Sequence, residues 1–429
     1  MAVAPAGGSA TIRDRDAGTG DPDPQPARSG LKTTFSALAI PTYRRYATGA
    51  LFSNAGTWMH RIAQSWLVLQ LTADPTMLGL VVAAQFAPML FLAPWAGVLA
   101  DRYDRRRLLM LTQVGMGLQA LGLGVLALSG HATGFLVLVF ALILGLFTAV
   151  DAPARQSIVS DLVPADEVVN AVALNSANFN AARLVGPAVA GVMIALWGAG
   201  WVFLVNAGTF AIMFWALRGI TMQSTVPAGR RGGLRDGLNY VRHRPDLWFV
   251  ILTAGAVAML VFNFPITIPL MVTDEFAAGA RSFGVLTSLM AIGSLAAALI
   301  QARRARTDLR LVTVAAGLAG VVAVVAGFMP NVITFAAALI AGGAAAMTMM
   351  TAANSYLQTR TDEAHRSRVM ALYMAVFFGT TPLGAPLIGM LAQAMGPRAA
   401  LVIPGILSVL VTAALVLAYR AGRKHLEPR

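Results

Sequence analysis

Two arginines, Arg61 and Arg183, lie inside long apolar stretches where a charged side chain is costly. An unpaired arginine in the hydrocarbon core of a membrane costs at least about 2.5 to 3.5 kcal/mol on insertion scales, so both are expected to face a water-filled cavity. His60 lies beside Arg61, and Asp151 lies in another of the apolar stretches. They are the candidate proton carriers, because an imidazole or a carboxylate can change its charge during a transport cycle.

Other kinds of chemistry are excluded by residue type and spacing. The chain has no cysteine, and none of its five histidines is spaced i, i+4, so no helix-borne metal pair is expected. The apolar stretches hold neither paired acids nor a nucleophile beside a base, which argues against an enzyme. The only lysines are Lys32 and Lys424, and a Walker motif is absent. We therefore expect no cofactor and no ATP-binding domain, and transport would run on ion gradients.

Apolar stretches of about 20 residues recur from about residue 45 to the end of the chain. The 429 residues are 57% apolar and 12% charged, whereas a soluble domain has about 25% charged residues. The sequence therefore predicts an all-α integral membrane protein with twelve transmembrane helices. The predicted spans are residues 46–71, 78–100, 107–128, 133–155, 168–196, 200–218, 247–271, 282–302, 310–328, 332–356, 368–395 and 399–420.

Basic residues predict how these spans are oriented. Placing both termini in the cytoplasm puts nearly all of the 32 Lys and Arg residues on the cytoplasmic side, as the positive-inside rule requires. The four exceptions are Arg61, Arg183, Arg281 and Arg398. We expect a multi-pass protein of the inner membrane, in contact with lipid. Its formal net charge of +13 then needs no nucleic acid as a partner.

A long loop near the middle of the chain divides the spans into two sets of six. The expected parts are a disordered cytoplasmic tail (1–40), an N-terminal bundle (41–218), a cytoplasmic linker (219–246), a C-terminal bundle (247–420) and a cytoplasmic tail (421–429). Within the linker, Leu234, Leu238 and Val241 recur at helical spacing. This spacing suits a short helix on the anionic inner leaflet, with a plain linker as the alternative.

The two halves also share an internal repeat at an offset of 198 residues. Seven residues of the fifth span recur in the eleventh: Ala173, Leu174, Ala177, Phe179, Gly186, Gly191 and Gly198 match Ala371, Leu372, Ala375, Phe377, Gly384, Gly389 and Gly396. Both halves are therefore predicted to have one topology, as in transporters built from parallel repeats.

The loop between the second and third spans reads GVLADRYDRRR over residues 97–107. It resembles the signature loop of the major facilitator superfamily, with Gly97, Asp101 and Arg105 at the family spacing and Asp104 where the family has glycine. A glycine permits close helix approach, and the two charges can pair across an interface. The alternative interpretation is a simple basic loop that sets topology.

Further segments resemble the branch of that superfamily that includes the enterobactin exporter and macrolide and chloramphenicol efflux proteins. They are residues 56–68, 155–191 and 366–373. The resemblance covers residues 40–420 and implies two pseudo-symmetric six-helix bundles around a central cavity. It also implies a cytoplasmic gate in which Arg105 reaches Asp151. The gate residues are Gly97, Asp101, Arg105, Asp151 and Arg155.

The first and fifth spans line the central path in this superfamily, which gives the candidate substrate contacts. They are Arg61, Gln64, Asn175, Asn178, Arg183 and, in the C-terminal half, Tyr373. Two alternatives to these roles remain. In the first, one arginine pairs with Asp151 or with helix-end carbonyls and does not contact the substrate. In the second, His60 is a packed neutral imidazole without a functional role. Close helix packing is expected at Gly186, Pro187, Gly191, Gly384 and Gly389.

The sequence thus predicts a monomeric secondary exporter that works by alternating access. A cavity with arginines on one wall and apolar, Met-rich residues on the other suits a neutral or anionic amphipathic molecule better than a cation. A drug, an antibiotic or a siderophore-like metabolite is of this kind, and the resemblance implies coupling to protons. The alternatives are an importer or uniporter of a small organic anion and a non-transporting membrane sensor of the same fold.

Overall fold

The computed structural model describes residues 35–220, 234–303 and 307–424, without the side chains of 93–102, 234–236, 364 and 422–424. These residues are almost entirely helical. The helices are α1 (Pro41–Thr72), α2 (Pro75–Arg102), α3 (Arg105–Leu128), α4 (Gly134–Asp161), α5 (Val168–Trp197), α6 (Ala199–Arg218), α7 (Leu234–Arg242), α8 (Pro245–Leu260), α9 (Phe264–Leu270), α10 (Ala280–Ala302), α11 (Leu309–Gly327), α12 (Val332–Arg360), α13 (Glu363–Gly379), α14 (Thr381–Met395) and α15 (Ala399–Lys424). The predicted tail residues 1–34 and 425–429 and linker residues 221–233 lie outside the described residues.

Eleven helical segments of the described chain are long and apolar enough to cross a membrane. The remaining predicted span, α1, has 32 residues but more polar side chains, since it carries Arg44, Arg45, His60 and Arg61. With α1 included, the helices form two six-helix bundles, and the predicted fold class is confirmed. Paired helices, α8 with α9 and α13 with α14, make up the seventh and eleventh spans.

Three predicted spans differ from the helices observed. The fourth runs to Asp161 instead of residue 155, while the seventh breaks between α8 and α9 and the eleventh breaks at Thr380. After each break, the new helix carries a proline, Pro265 or Pro382, in its first turn. A proline is tolerated there because its missing N–H would have had no helical partner. The seventh and eleventh spans are therefore each made of two helices.

The bundles meet through two pairs of helices, α2 with α14 and α5 with α10. Glycines permit the close approach. A Cβ added at Gly191 on α5 would lie 2.7 Å from the Ala280 carbonyl oxygen on α10. A Cβ at Gly389 on α14 would lie 3.1 Å from the Thr76 Cα on α2. These two glycines match in the internal repeat, and both contacts lie near the helix ends remote from the arginine-rich loops, which we call the outer end.

The repeat also governs packing inside each bundle. A Cβ at Gly186 on α5 would lie 2.9 Å from the Trp58 Cβ on α1, and a Cβ at Gly384 on α14 would collide with the Met259 carbonyl oxygen on α8. The repeat-related Gly198 and Gly396 have φ angles of 88° and 86° and join α5 to α6 and α14 to α15. This backbone conformation favours glycine, so the repeated glycines are explained by geometry.

The linker helix α7 packs on protein as well as lying beside the membrane-spanning helices. It contacts α13 and α8. Val241 is fully buried, and the Tyr240 ring stacks on His365 at 4.3 Å between centroids. The Tyr240 hydroxyl hydrogen bonds to Asp362 Oδ2 at 2.9 Å. A helix is therefore present where the spacing of Leu234, Leu238 and Val241 predicted one, and part of its apolar face covers the start of α13. Its place on the inner leaflet stays a prediction.

Candidate functional site

Trp58 on α1 lies between two arginine side chains. The Cζ atom of Arg61 is 5.2 Å from the centroid of the Trp58 ring, and the Cζ atom of Arg183 on α5 is 5.7 Å from it. Arg61 is also 5.3 Å from the Phe86 ring on α2, while the Phe179 ring packs edge-on against Trp58 at 6.0 Å. These distances allow cation–π attraction. We call these five residues the arginine cluster.

The arginine cluster has two positive charges and no matching negative charge. Within the described part of the chain, neither Arg61 nor Arg183 forms an ion pair or a hydrogen bond. The one cation–π contact of Arg183 contributes about 0.5 to 2 kcal/mol, which is less than the cost of at least about 2.5 kcal/mol for an unpaired arginine in a membrane. An anion bound at the cluster would therefore be strongly stabilised.

His60 faces α6 inside the N-terminal bundle. Its side chain is fully buried, and its Nδ1 lies 3.2 Å from Asn206 Nδ2. The Phe203 ring packs edge-on against the imidazole at 4.7 Å between centroids. Its Nε2 has no hydrogen-bond partner among the described residues. His60 thus has a packed ring with one nitrogen available to a proton, and it is adjacent in sequence to Arg61.

Both ends of the Gln64 amide are occupied by protein. Its Nε2 donates to the Val137 carbonyl oxygen on α4 at 3.2 Å, and its Oε1 accepts from Gln85 Nε2 on α2 at 2.8 Å. Gln64 is fully buried. Its position therefore ties α1 to two neighbouring helices, and it is not among the residues gathered around Trp58.

The two asparagines predicted on α5 differ in their surroundings. Asn178 Nδ2 donates to the Ala47 carbonyl oxygen on α1 at 2.7 Å, and its Oδ1 is buried without a hydrogen-bond partner in the described residues. Asn175 is half-buried. Asn178 therefore holds α5 against α1.

Asp151 on α4 is the centre of a buried polar network. Its Oδ2 accepts from Arg155 Nε at 2.8 Å, and its Oδ1 accepts from Thr112 Oγ1 at 2.8 Å and from Gln113 Nε2 at 2.9 Å. Ser53 Oγ on α1 donates to Gln113 Oε1 at 3.1 Å. The carboxylate is thereby fully partnered, and it holds α1, α3 and α4 together.

Arg105 pairs with a different acid from the one expected. Its Nη1 lies 2.6 Å from Asp161 Oδ2, whereas Asp151 binds Arg155. The expectation that Arg105 reaches Asp151 is therefore wrong, because α4 continues to Asp161 and presents this later carboxylate to the loop. Gly97 and Asp101 lie in the last part of α2, residues 93–102, whose side chains are not among those described.

Asp104 explains the departure from the family loop pattern. Its carboxylate accepts from the Arg107 backbone N–H at 3.0 Å and caps the start of α3. In the C-terminal half, Asp308 caps α11 in the same way, accepting from the Leu311 N–H at 3.0 Å. An aspartate at this turn satisfies a backbone donor that a glycine would leave to water.

Tyr373 lies in the C-terminal bundle, beside a cavity of about 360 Å³ between α12 and α13. Its side chain is 1% exposed, and its hydroxyl is 3.4 Å from the Met350 carbonyl oxygen. The Phe377 ring lies 5.8 Å away. This second region, which the arginine cluster does not include, combines aromatic and methionine side chains with five polar residues, Thr351, Asn354, Ser355, Gln358 and Thr359.

Sequence reasoning missed several residues that complete these sites. Phe86 gave no signal, because one aromatic residue in an apolar helix is ordinary. Asp161 was assigned to a loop, since the fourth span was ended too early. Trp58 lies three residues before Arg61 on α1, and this helical spacing was the one available sign of its role.

The fold and a charged cluster within it define a membrane transporter of the major facilitator type rather than an enzyme. Residues 32–426 match the family described as "Transmembrane secretion effector", and the chain belongs to that family.

Curated relatives match over most of their length. The chain is 26% identical to a staphyloferrin A transporter of Staphylococcus aureus, a match covering 87% of this chain and 95% of the relative. It is 26% identical to the multidrug efflux pump Tap of Mycobacterium tuberculosis (81% and 86%) and 24% identical to the enterobactin exporter EntS of Shigella flexneri (86% and 92%). Over most of its length the chain is thus similar to proteins named as a transporter, an efflux pump and an exporter.

Solved structures agree on the fold. A bacterial homologue of the human lysosomal transporter Spinster, in an inward-facing and occupied conformation, matches with a TM-score of 0.71 at 15% identity, covering 91% of this chain and 98% of that one. The nucleoside transporter NupG matches with a TM-score of 0.68 at 13% identity, covering 88% and 98%. At these identities the matches establish the shared fold alone.

Proposed function

We propose that this protein exports a small amphipathic acid across the inner membrane. The observation that carries the proposal is the arginine cluster, where Arg61 and Arg183 share one indole ring and have no carboxylate partner among the described residues. A negatively charged group bound between them supplies the missing charge. Export from the cell agrees with relatives named as a siderophore transporter, an enterobactin exporter and a multidrug efflux pump.

The proposed orientation places both termini and the arginine-rich loops in the cytoplasm. The positive-inside rule supports it, since Arg105, Arg106 and Arg107 follow α2 directly. With this orientation, the glycine contacts at Gly191 and Gly389 close the periplasmic end. These features support an inward-open state.

Alternating access would move the two halves, residues 41–218 and 247–420, about the central cavity. The proposed gate comprises Gly97, Asp101, Arg105, Asp151 and Arg155. The observed pairs support a modified version of this gate, in which Arg105 binds Asp161 and Arg155 binds Asp151. We propose a monomer, because each chain supplies both halves of one pathway.

Protons are the proposed driving ion. The two candidate carriers differ in their partners: Asp151 accepts from Arg155, Thr112 and Gln113, whereas His60 has one nitrogen without a partner in the described residues. This difference supports His60 as the carrier. His60 is adjacent in sequence to Arg61, so the proposed proton site lies beside the proposed acid site.

The test uses inside-out membrane vesicles with an acidic interior and naphthalene-2-sulfonate, an aromatic acid that stays charged at all working pH values. Wild-type vesicles should accumulate the labelled probe when the gradient is imposed. Arg183→Ala should lower accumulation by about tenfold or more, since hydrogen bonds to charged groups contribute about 1.5 to 3 kcal/mol. Arg281→Ala removes an exposed arginine at the start of α10 and serves as the control. Unchanged uptake in Arg183→Ala would remove the arginine cluster from substrate binding.

A second candidate function is import or facilitated diffusion of a small organic anion, because the arginine cluster would serve an anion moving in either direction. The direction of gradient-driven flux separates the two. Accumulation in right-side-out vesicles, with none in inside-out vesicles, would favour import. Equal flux in both without dependence on a proton gradient would favour a uniporter.

A further inference from the structure

The cavity between α12 and α13 has a chemically distinct wall. Three aromatic side chains, Tyr373, Phe377 and Phe378, line it together with Met350 and Met374. The Phe377 and Phe378 rings are 5.3 Å apart in an edge-to-face arrangement, and Phe377 and Tyr373 are 5.8 Å apart. We call these five residues the aromatic pocket. No charged side chain is among the residues lining the cavity.

The size and chemistry of the aromatic pocket suit part of a ligand rather than a whole one. Its volume of about 360 Å³ is close to the lower bound of about 300 Å³ for small-molecule sites. Aromatic edges and methionine sulfurs attract an aromatic ring, and methionine adapts to its shape. At the rim, Gln358 Nε2 donates to Asn354 Oδ1, which leaves the Gln358 oxygen and the Asn354 amino group for a polar substituent.

The repeat shows that four of the five residues of the aromatic pocket have no aromatic or methionine counterpart in the N-terminal half. At the offset of 198 residues, Tyr373, Met374 and Phe378 correspond to Asn175, Ser176 and Asn180 on α5, and Met350 corresponds to Ala152. Phe377 is the exception, because it corresponds to Phe179. Equivalent places in the two halves therefore differ in the ligand chemistry that they favour.

A short path of contacts joins the aromatic pocket to the arginine cluster. Phe86 on α2 contacts Arg61, and Leu90 lies one helical turn further along α2. A Cβ added at Gly379, the last residue of α13, would lie 2.5 Å from Leu90 Cδ1. Gly379 directly follows Phe378 in the chain. The two sites are therefore connected across the interface between the halves, with the aromatic pocket nearer the arginine-rich loops.

We propose that the aromatic pocket binds an uncharged aromatic part of the same molecule whose acidic group binds the arginine cluster. This inference rests on the proposed function, and it narrows the substrate class to acids that carry an aromatic group. The two halves then divide recognition between them, with charge bound by the N-terminal half and the ring by the C-terminal half.

The test measures equilibrium binding to the purified full-length protein with three matched probes. Naphthalene-2-sulfonate carries an acid and a ring, methanesulfonate carries the acid alone, and naphthalene-2-sulfonamide carries the ring without the charge. Wild-type protein should bind naphthalene-2-sulfonate most tightly. Phe377→Ala and Met374→Ala should each weaken naphthalene-2-sulfonate by about tenfold and leave methanesulfonate unchanged, since burial and ring contacts are lost for one probe only. Arg183→Ala should weaken both acids and leave the sulfonamide unchanged.

The outcomes separate the two proposals. Equal affinity of the wild-type protein for naphthalene-2-sulfonate and methanesulfonate would overturn the proposal that the aromatic pocket binds the ring. Equal losses of affinity for both acids in Phe377→Ala and Met374→Ala would also overturn it. In a third outcome, Phe377→Ala and Met374→Ala weaken binding of the two naphthalene probes alone while Arg183→Ala changes no affinity. That result would refute binding of the acidic group at the arginine cluster and would leave binding of the ring in the aromatic pocket supported. Phe328→Ala, an exposed ring at the end of α11, is the control for removing an aromatic side chain. Met374 is 40% exposed, so Met374→Ala tests the pocket even where Phe377→Ala fails to fold.

Discussion

The N-terminal and C-terminal bundles share a helix arrangement but bury different side chains. Besides the hydroxyls of Ser53, Ser65, Thr112 and Thr209, the N-terminal bundle buries amides, an imidazole and a carboxylate: Gln64, Gln85, Gln113, Gln119, Asn206, His60 and Asp151. The C-terminal bundle buries mainly hydroxyls: Thr253, Thr267, Ser288, Ser294, Thr361, Ser408 and Thr412, with Asn263 as the one amide in that described set. Hydroxyls can bond to their own helix, whereas a carboxylate or an amide pair needs neighbouring helices. The N-terminal bundle is thus fixed by polar cross-links and the C-terminal bundle by packing.

The repeat indicates which features both halves require. Gly186 and Gly384 make close contacts inside their bundles, and Gly191 and Gly389 make them between bundles. Backbone packing is therefore common to the two halves. The charges differ: Met349 and Ala353 occupy the positions that correspond to Asp151 and Arg155. A transporter that binds a charged molecule needs the charge on only one wall, which agrees with the different chemistry of the two sites.

Among the substitutions that test this difference between the bundles, Asp151→Asn is expected to have the largest effect on stability. Arg155 would then be a buried cation without its carboxylate, and breaking a buried pair costs about 3 to 5 kcal/mol. The two side chains are only 8% and 17% exposed, so water offers little compensation. We expect a large drop in thermal stability, measured by unfolding of the purified protein in detergent.

Two further variants show whether the loss arises from charge. Asp151→Asn combined with Arg155→Gln should recover much of the stability, because neither charge is left alone. In the C-terminal half, Met349→Leu alters the corresponding position with little change in volume and should cost less than about 1.5 kcal/mol. A Met349→Leu variant as unstable as Asp151→Asn would contradict the contrast between the bundles.

A smaller effect is expected at the glycines between the bundles. In Gly191→Ala the new methyl group would lie 2.7 Å from the Ala280 carbonyl oxygen, so the backbones must separate. Such overpacking costs about 1 to 3 kcal/mol and should open the outer end. Because the chain has no cysteine, Ala280→Cys and Ala385→Cys provide single labelling sites, and both alanines are buried. Labelling by an impermeant maleimide should be faster in Gly191→Ala and in Gly389→Ala.

Matched controls come from glycines with open surroundings. Gly208 and Gly317 have no atom within 4 Å of an added Cβ. Gly208→Ala and Gly317→Ala should therefore leave the labelling rates unchanged and raise helix stability slightly. If all four alanine variants changed the labelling rate equally, the outer-end contacts would not be the cause.

The sequence predicted the helices, the repeat and the charged residues at the centre, because these follow from apolar length, offset and the cost of a charge in lipid. It did not predict which charges pair. Arg105 was assigned to Asp151, and the correct partner, Asp161, depends on how far α4 extends. The position of a helix end is set by tertiary contacts that local patterns do not contain.

The candidate site was predicted in part for a related reason. Periodicity places Trp58 and Arg61 on one helical face, but it gives no information on which residue of α2 or α5 approaches that face. Phe86 and Phe179 complete the arginine cluster through helix–helix packing. The break at Thr380, which separates α13 from α14, was likewise invisible in a continuous apolar stretch.

The smallest effect concerns a feature that the halves share, the capped turn after the second helix of each bundle. Asp104→Ala removes the acceptor for the Arg107 N–H and should cost about 1 kcal/mol, and Asp308→Ala should cost the same through the Leu311 N–H. Asp104→Gly, which restores the family residue, should cost only a few tenths, since glycine is itself a tolerated N-cap. Thermal unfolding of the three variants measures these differences. A loss of stability in Asp104→Ala far above that in Asp308→Ala would mean that Asp104 has a further partner in the N-terminal half. The two capped turns would then be another feature in which the bundles differ.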